Sequence, residues 1–308
     1  MSSRNPSSNT PEGREVNRVS GEPSSATNDA QALDAGLYIV ATPIGNLRDI
    51  TLRAIDTLRA ADEVLAEDTR VARRLMDAHS IRAKLSPYHD HNGAKRRPEI
   101  LNRLADGAAI ALISDAGTPM VSDPGWKLAH DALEAGIKVV PVPGASALLA
   151  GLVASGMASD RFMFCGFLPS KSGARRKTAA EFAQVPGTLV FYESGPRLAD
   201  CLRDLAEILG GTREAAVTRE LTKLFEETRR GTLSSLADHY AEHGPPKGEI
   251  VVLVGPPEKK VASAETIEMA LLDALKSQSV KQASSEIAEL FGLPKRDIYQ
   301  QALRLKDA

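Results

Sequence analysis

LYIVATPIGNLRDITLRAIDTLRAADEVLAEDTR (residues 37–70) decides the fold. Leu37–Thr42 is a short apolar, β-branched run that breaks at Pro43 and Gly45. Asp49–Ala61 then places Leu52, Ile55 and Leu58 every three residues along one helical face. A second apolar run, 63–68, leads into a helix over Thr69–His79. Strand, turn, helix and strand in that order describe a parallel β-α-β unit.

The pattern continues outward. Strands are predicted at 84–89, 108–114 and 137–142, with helices opening at Pro98, over 124–136 closed by Gly136, and over Ala145–Ser155. After Gly156 the rhythm changes. Strands at 162–167, 188–194, 214–221, 223–233 and 248–255, some joined only by turns, alternate with helices at 174–184, 196–209 and 233–242, which predicts a mixed sheet. The domains are therefore set at 36–158 and 159–257. Glu258–Ser263 reads as a linker, and residues 262–308 as a helical module broken at Gly292-Leu293-Pro294 and patterned like a helix-turn-helix. Nucleic-acid binding and plain packing or dimerisation both suit that module. Residues 1–35 are rich in Ser, Asn, Pro and Gly with few large apolar side chains, and are expected to be a disordered extension.

The 308 residues carry 38 basic and 40 acidic side chains, a net charge of −2, so any polyanion must be met by local patches. The two cysteines, Cys165 and Cys201, stand far apart without a CxxC pair, which points to the reducing cytoplasm. The absence of a long apolar run argues against a membrane span, and no apolar leader precedes the first strand. The chain lacks G-x-G-x-x-G, a P-loop and G-x-S-x-G. His239-x-x-Glu242-His243 matches an inverted zinc-protease pattern but falls at the end of a short helix, and no metal is assigned to it.

Chemistry concentrates at the strand ends. ATPIGNL (41–47), SDAGTPMVSDPG (114–125) and VPGASA (142–147) are small-residue loops, joined by YES (192–194) and TRE (218–220). In a parallel sheet such loops face one crevice, and Gly or Ala there lets the backbone approach a ligand. Taken in order, ATPIGNLRDIT, EDTR, SDAGTPMVSDPG, VPGASA, FCGFLP, FYESGPR, TRELTKLFEE and GEIVVLVG resemble the ribosomal RNA small subunit methyltransferase I family, within the tetrapyrrole methylases.

That resemblance implies two α/β domains of the tetrapyrrole methylase type with S-adenosyl-L-methionine in the cleft between them, a homodimer, and 2′-O-methylation of a decoding-centre cytidine in the 16S rRNA of the small ribosomal subunit. Pro43, Asp115, Ala116, Gly117, Thr118, Val121, Ser122, Ser146, Ala147, Tyr192, Thr218 and Arg219 match cofactor-contacting positions. Thr118 stands where porphyrin-directed relatives carry an Asp, which argues against a tetrapyrrole-type small molecule as substrate. A non-catalytic ribosome-assembly factor is the other alternative. Glu67, Asp68 and Lys223 are the candidate catalytic residues, each also readable as structural. For RNA, Lys171, Arg175, Arg176 and Lys177 form a basic, loop-like run after a strand, with Arg73-Arg74, Lys95-Arg96-Arg97 and Arg229-Arg230 as lesser runs.

Overall fold

A computed structural model describes residues 32–257 and 264–307. The expected extension, up to residue 31, and the expected linker, 258–263, lie outside the described residues.

The first sheet contains β1 (Gly36–Val40), β2 (Glu63–Ala66), β3 (Leu85–Pro87), β4 (Ala109–Ile113) and β5 (Val139–Val142) in the order β3-β2-β4-β1-β5. Every pairing in it is parallel. β1, β2 and β4 are buried along their whole length, because helices cover both faces, and this explains their continuous apolar sequences. α1 (Leu52–Ala60), α2 (Thr69–Ala78), α3 (Asp90–Ala105) and α4 (Trp126–Glu134) are the covering helices.

Two expectations here need correction. The helix predicted over Asp49–Ala61 is split: Leu47–Asp49 forms a 3₁₀ turn, and the Thr51 side chain caps α1 by accepting from the Ala54 N–H at 3.1 Å. Pro98 does not open α3 but lies within it. The helix starts eight residues earlier, where the Asn92 side chain accepts from the His89 N–H at 3.0 Å.

The second sheet contains β6 (Phe162–Phe167), β7 (Thr188–Ser194), β8 (Glu214–Arg219), β9 (Glu227–Thr232) and β10 (Glu249–Val254), ordered β6-β7-β10-β8-β9. Only β6–β7 is parallel, so this sheet is mixed as the short turns predicted. β9 begins at Glu227 rather than at 223. Residues 220–226 fold into a turn in which Lys223 and Glu226 donate backbone N–H groups to Glu220 and Lys223, and the Glu226 carboxylate accepts from the Thr222 N–H at 2.6 Å. α6 (Ser172–Glu181), α7 (Gly195–Leu209) and α8 (Leu233–His243) pack on one face around Phe191, Leu198, Leu202 and Leu236.

α5 (Ala147–Ser155), which follows β5, packs against the other face of the second sheet through Leu152, Val190, Val251 and Leu253. A Cβ at Gly151 would stand 3.2 Å from Val251 Cγ1 and 3.3 Å from the Thr218 hydroxyl, so glycine permits this close approach. The helix thus straps the two sheets together.

α9 (Ala264–Leu275), α10 (Val280–Phe291) and α11 (Lys295–Asp307) form a separate bundle around Leu271, Ala283, Ile287, Ile298 and Ala302. Ser279 and Gln282 make a capping box for α10, and Gly292 ends it with a φ of 63°. Among the described residues no helix is long and apolar enough to cross a membrane.

Candidate active site

The loops that follow β1, β4 and β5 meet the ends of β7 and β10 around a cavity of about 430 Å³. Its floor is the segment 115–118. Thr42 and Gly117 exchange backbone hydrogen bonds at 2.8 and 3.1 Å, which ties the first loop to this segment. Gly117 has a φ of 80°, and a Cβ there would come within 3.3 Å of Ile44. Met120 and Ser122 also hold left-handed φ values, 72° and 66°. Such strain persists only where the surroundings enforce one conformation.

Ser146 is the N-cap of α5 but makes no side-chain cap, and the first-turn N–H groups of α5 have no partner within the helix. One of them, from Leu148, donates to the Tyr192 hydroxyl at 3.2 Å. Those remaining beside Ser146 and Ala147 suit a carboxylate. On the other side Phe167 and Tyr192 form an aromatic wall with their rings edge to face at 5.6 Å. Glu193, next to Tyr192 on β7, is buried on the opposite, α7 side of the sheet, where its carboxylate meets Arg197 Nε at 3.2 Å and the Ser194 N–H at 2.8 Å.

Acidity gathers at one end. Glu67, Asp115 and Asp123 all line the cavity. Burial, and then the charge of Glu67, pushes Asp123 up to about 6. Burial followed by the charge of Asp115 raises Glu67 as well. Glu67 and Asp123 are thereby both weaker acids than free carboxyls, which suits them to take up a proton.

The cavity brings together most of the cofactor positions read from the sequence: Asp115, Ala116, Gly117, Thr118, Val121, Ser122, Ser146, Ala147 and Tyr192. Three others do not line it. Pro43 faces a neighbouring cavity. Thr218 is buried beneath α5, its hydroxyl near the Val251 carbonyl, and Arg219 turns away to pair with Glu227 at 3.1 Å. Phe167, Leu221, Glu249 and Asp123 line the cavity although the sequence did not single them out. Each lies within a stretch that stood out by motif: Asp123 in 114–125, Phe167 in FCGFLP, Leu221 in TRELTKLFEE and Glu249 in GEIVVLVG.

Of the catalytic candidates, only Glu67 reaches the cavity. Asp68 caps α2, accepting from the Arg70 N–H at 2.8 Å and pairing with its guanidinium. Hydrogen bonds from Arg70 hold that carboxyl down at about 2. Lys223 bridges Glu220 at 2.8 Å and Glu249 at 2.9 Å. Burial pulls its ammonium down, but the two carboxylates outweigh this and keep it charged.

The basic run 171–177 also needs correction. It is the start of α6, not a loop. Arg175 is only 4% exposed and pairs with Asp204 at 2.6 Å, while Arg176 pairs with Glu207. Lys171 and Lys177 remain exposed. His239 and His243 stack on each other at 4.2 Å, and no metal-holding cluster of three or more ligand-type side chains occurs among the described residues.

Residues 36–237 match the family model for tetrapyrrole (corrin/porphyrin) methylases, and residues 261–306 match the RsmI C-terminal HTH domain. The chain is 52% identical to the ribosomal RNA small subunit methyltransferase I of Mesorhizobium japonicum over 278 residues, 90% of this chain and 95% of that protein. It is 49% identical to that of Erythrobacter litoralis, over 91% of this chain and 98% of the relative. The chain belongs to the ribosomal RNA small subunit methyltransferase I family. Members of this family share a fold with more distant proteins. Diphthine synthase superposes with a TM-score of 0.57 at 15% identity, over 71% of this chain and 89% of that one. The Thermus thermophilus uroporphyrin-III C-methyltransferase complexed with S-adenosylhomocysteine gives a TM-score of 0.50 at 21% identity, over 71% and 96%.

Proposed function

We propose that this protein transfers a methyl group from S-adenosyl-L-methionine to the ribose 2′-oxygen of a decoding-centre cytidine in 16S rRNA, acting on the small ribosomal subunit in the cytoplasm. In this reading 36–158 and 159–257 are the two domains, and 262–308 is a helical module of its own. The observation that carries it is the cavity between the sheets, lined by the loops whose sequences resemble the family. Its volume lies in the ordinary range for a cofactor site, about 300–1,000 Å³. The chain's similarity to methyltransferases of small-subunit rRNA supports the substrate.

The residues present fit the cofactor. Gly117 and Ala116 open the backbone on one side, the start of α5 offers N–H groups to a carboxylate, and Phe167 and Tyr192 offer an aromatic face. When bound, the cofactor supplies a methyl group on a sulfonium, whose leaving thioether is neutral and needs no acid. What remains for the chain is alignment of the attacking hydroxyl and removal of its proton. Glu67 and Asp123 do the latter: they stand together in the cavity, and burial raises both carboxyls, with Asp115 adding to it at Glu67 and Glu67 adding to it at Asp123. Exposed apolar side chains on α5 and on the edge strand β6, among them Val153 and Phe162, support a homodimer.

The test has three parts. Ribose methylation is mapped in small-subunit rRNA from cells with and without the gene, and an unchanged map overturns the reading. The purified protein should gain about 2.7 kcal/mol of stability at a hundredfold excess of cofactor over its dissociation constant. Gly117→Leu, which fills the cradle, should lose that gain. Glu67→Gln and Asp123→Asn should lose most turnover while binding cofactor, whereas Asp68→Asn should keep it.

A further inference from the structure

A second cavity, of about 470 Å³, adjoins the first and shares Ile44, Asp115, Ala116 and Glu249 with it. We infer that it receives a single nucleotide drawn out of an RNA strand, with the flanking phosphates seated on the arginines of α2; this rests on the functional reading above. The cavity is graded in chemistry. Its inner wall carries the carboxylates of Asp115 and Glu249, acceptors suited to ribose hydroxyls or a base amino group and repellent to phosphate. Its sides are apolar, with Leu47 and Val71 46% and 38% exposed, a surface for the face of a base. Its outer wall carries Arg74.

Charge complementarity identifies the occupant. Arg73 and Arg74 are exposed on α2 and make no ion pair or side-chain hydrogen bond among the described residues. The same is true of the Arg48 side chain in the 3₁₀ turn, which His79 ties to the end of α2 through the Leu47 carbonyl at 3.1 Å. Arg70, though paired with Asp68, is 87% exposed on the same helix. The arginines of the other basic runs are held internally: Arg96 by Glu63 and the Pro87 carbonyl, Arg97 by Asp131, Arg175 by Asp204, Arg176 by Glu207, Arg229 by Glu227 and Arg230 by carbonyls of α5. The cation inside the cavity, Lys223, is held by Glu220 and Glu249 and orients that wall rather than binding phosphate. Asp115 borders both cavities, and its Oδ1 accepts from the Asp68 N–H at 2.9 Å, which fixes the partition where α2 begins. A ribose in the second cavity therefore meets the first at Asp115, beside Glu67.

The experiment measures methyl transfer to small subunits isolated from cells lacking the gene, across a series of salt concentrations, for the full chain and two variants. Arg73→Glu with Arg74→Glu should raise KM at least tenfold and reduce the salt slope of binding by about 0.7 for each phosphate that is no longer neutralised. Cofactor-induced stabilisation should stay unchanged, which shows the variant folded. Val71→Trp, which fills the cavity without touching charge, should lower kcat/KM at least tenfold while leaving the salt slope intact. If the full chain methylates no small subunit, the functional reading itself falls. If it does and the charge reversal leaves KM and salt slope unaltered, the nucleotide site alone is overturned.

Discussion

α2 and α6 look alike in sequence, each with a cluster of arginines in its first turns, and the fold treats them oppositely. Arg175 is buried against Asp204 of α7, with Ser172 donating to the same carboxylate at 3.0 Å and the Ser170 carbonyl accepting from the guanidinium at 3.2 Å. α6 is thereby riveted to α7. Arg73 and Arg74 face away from the core that α2 forms with Ala72, Leu75 and Met76, and nothing among the described residues neutralises them. A basic run advertises charge. Whether that charge is available to a phosphate depends on whether an acid arrives from elsewhere in the chain.

The sharpest way to break this comparison is to remove the acid. Asp204→Ala leaves Arg175 buried and unpaired, and should cost about 3–5 kcal/mol of stability in denaturant unfolding, whereas Arg74→Ala should change it by less than about 0.5 kcal/mol. Similar losses for both would erase the distinction between the two helices.

A smaller effect separates a paired carboxylate from a crowded one. Asp123 has its folded pKa raised to about 6, above the ordinary carboxyl value, by burial and then by Glu67. A group raised in this way stabilises fully below its unfolded pKa, and that contribution is lost as the pH climbs through about 6. Asp123→Asn should therefore melt higher than the parent above pH 6, by on the order of 1 kcal/mol, with the gain vanishing below about pH 4. Thermal melts across pH 4–8 check the sign. This gain would be accompanied by a loss of turnover, as is usual when a strained site is relaxed.

The smallest effect concerns the two lysines that α6 leaves exposed. Lys171→Glu with Lys177→Glu should change KM for small subunits by no more than about twofold, against the tenfold or greater effect on α2. A larger loss would show that the exposed edge of α6 touches RNA after all, and would reinstate half of the basic run first read from the sequence.

Much of the site was legible from residues alone because loop chemistry is local. Gly, Ala, Ser and Pro at strand ends mark where backbone must come close to something, and the segments 115–118, 121–122 and 146–147 do line one cavity. Pro98 misled because a capping box at His89 and Asn92 started the helix sooner and left the proline inside it. Thr218 and Arg219 misled because a strand end presents alternate side chains to opposite faces, and the sequence did not show that α5 crosses to cover one of them. Phe167 and Glu249 were missed for the same reason, since a strand's partners across the sheet fix which of its faces meets the cleft.

The sequence by itself determined the alternation of strands and helices, the mixed character of the second sheet, the small-residue loops and the family. Each of these follows from periodicity, turn chemistry or motif, all of which act over a few neighbouring residues. Tertiary structure alone decided which charges are free. Arg175 and Asp204 are 29 positions apart, Glu67 and Asp123 are 56 apart, and Lys223 meets Glu249 across 26. Coulombic and desolvation energies depend on distance in space and on burial, neither of which a linear spacing encodes.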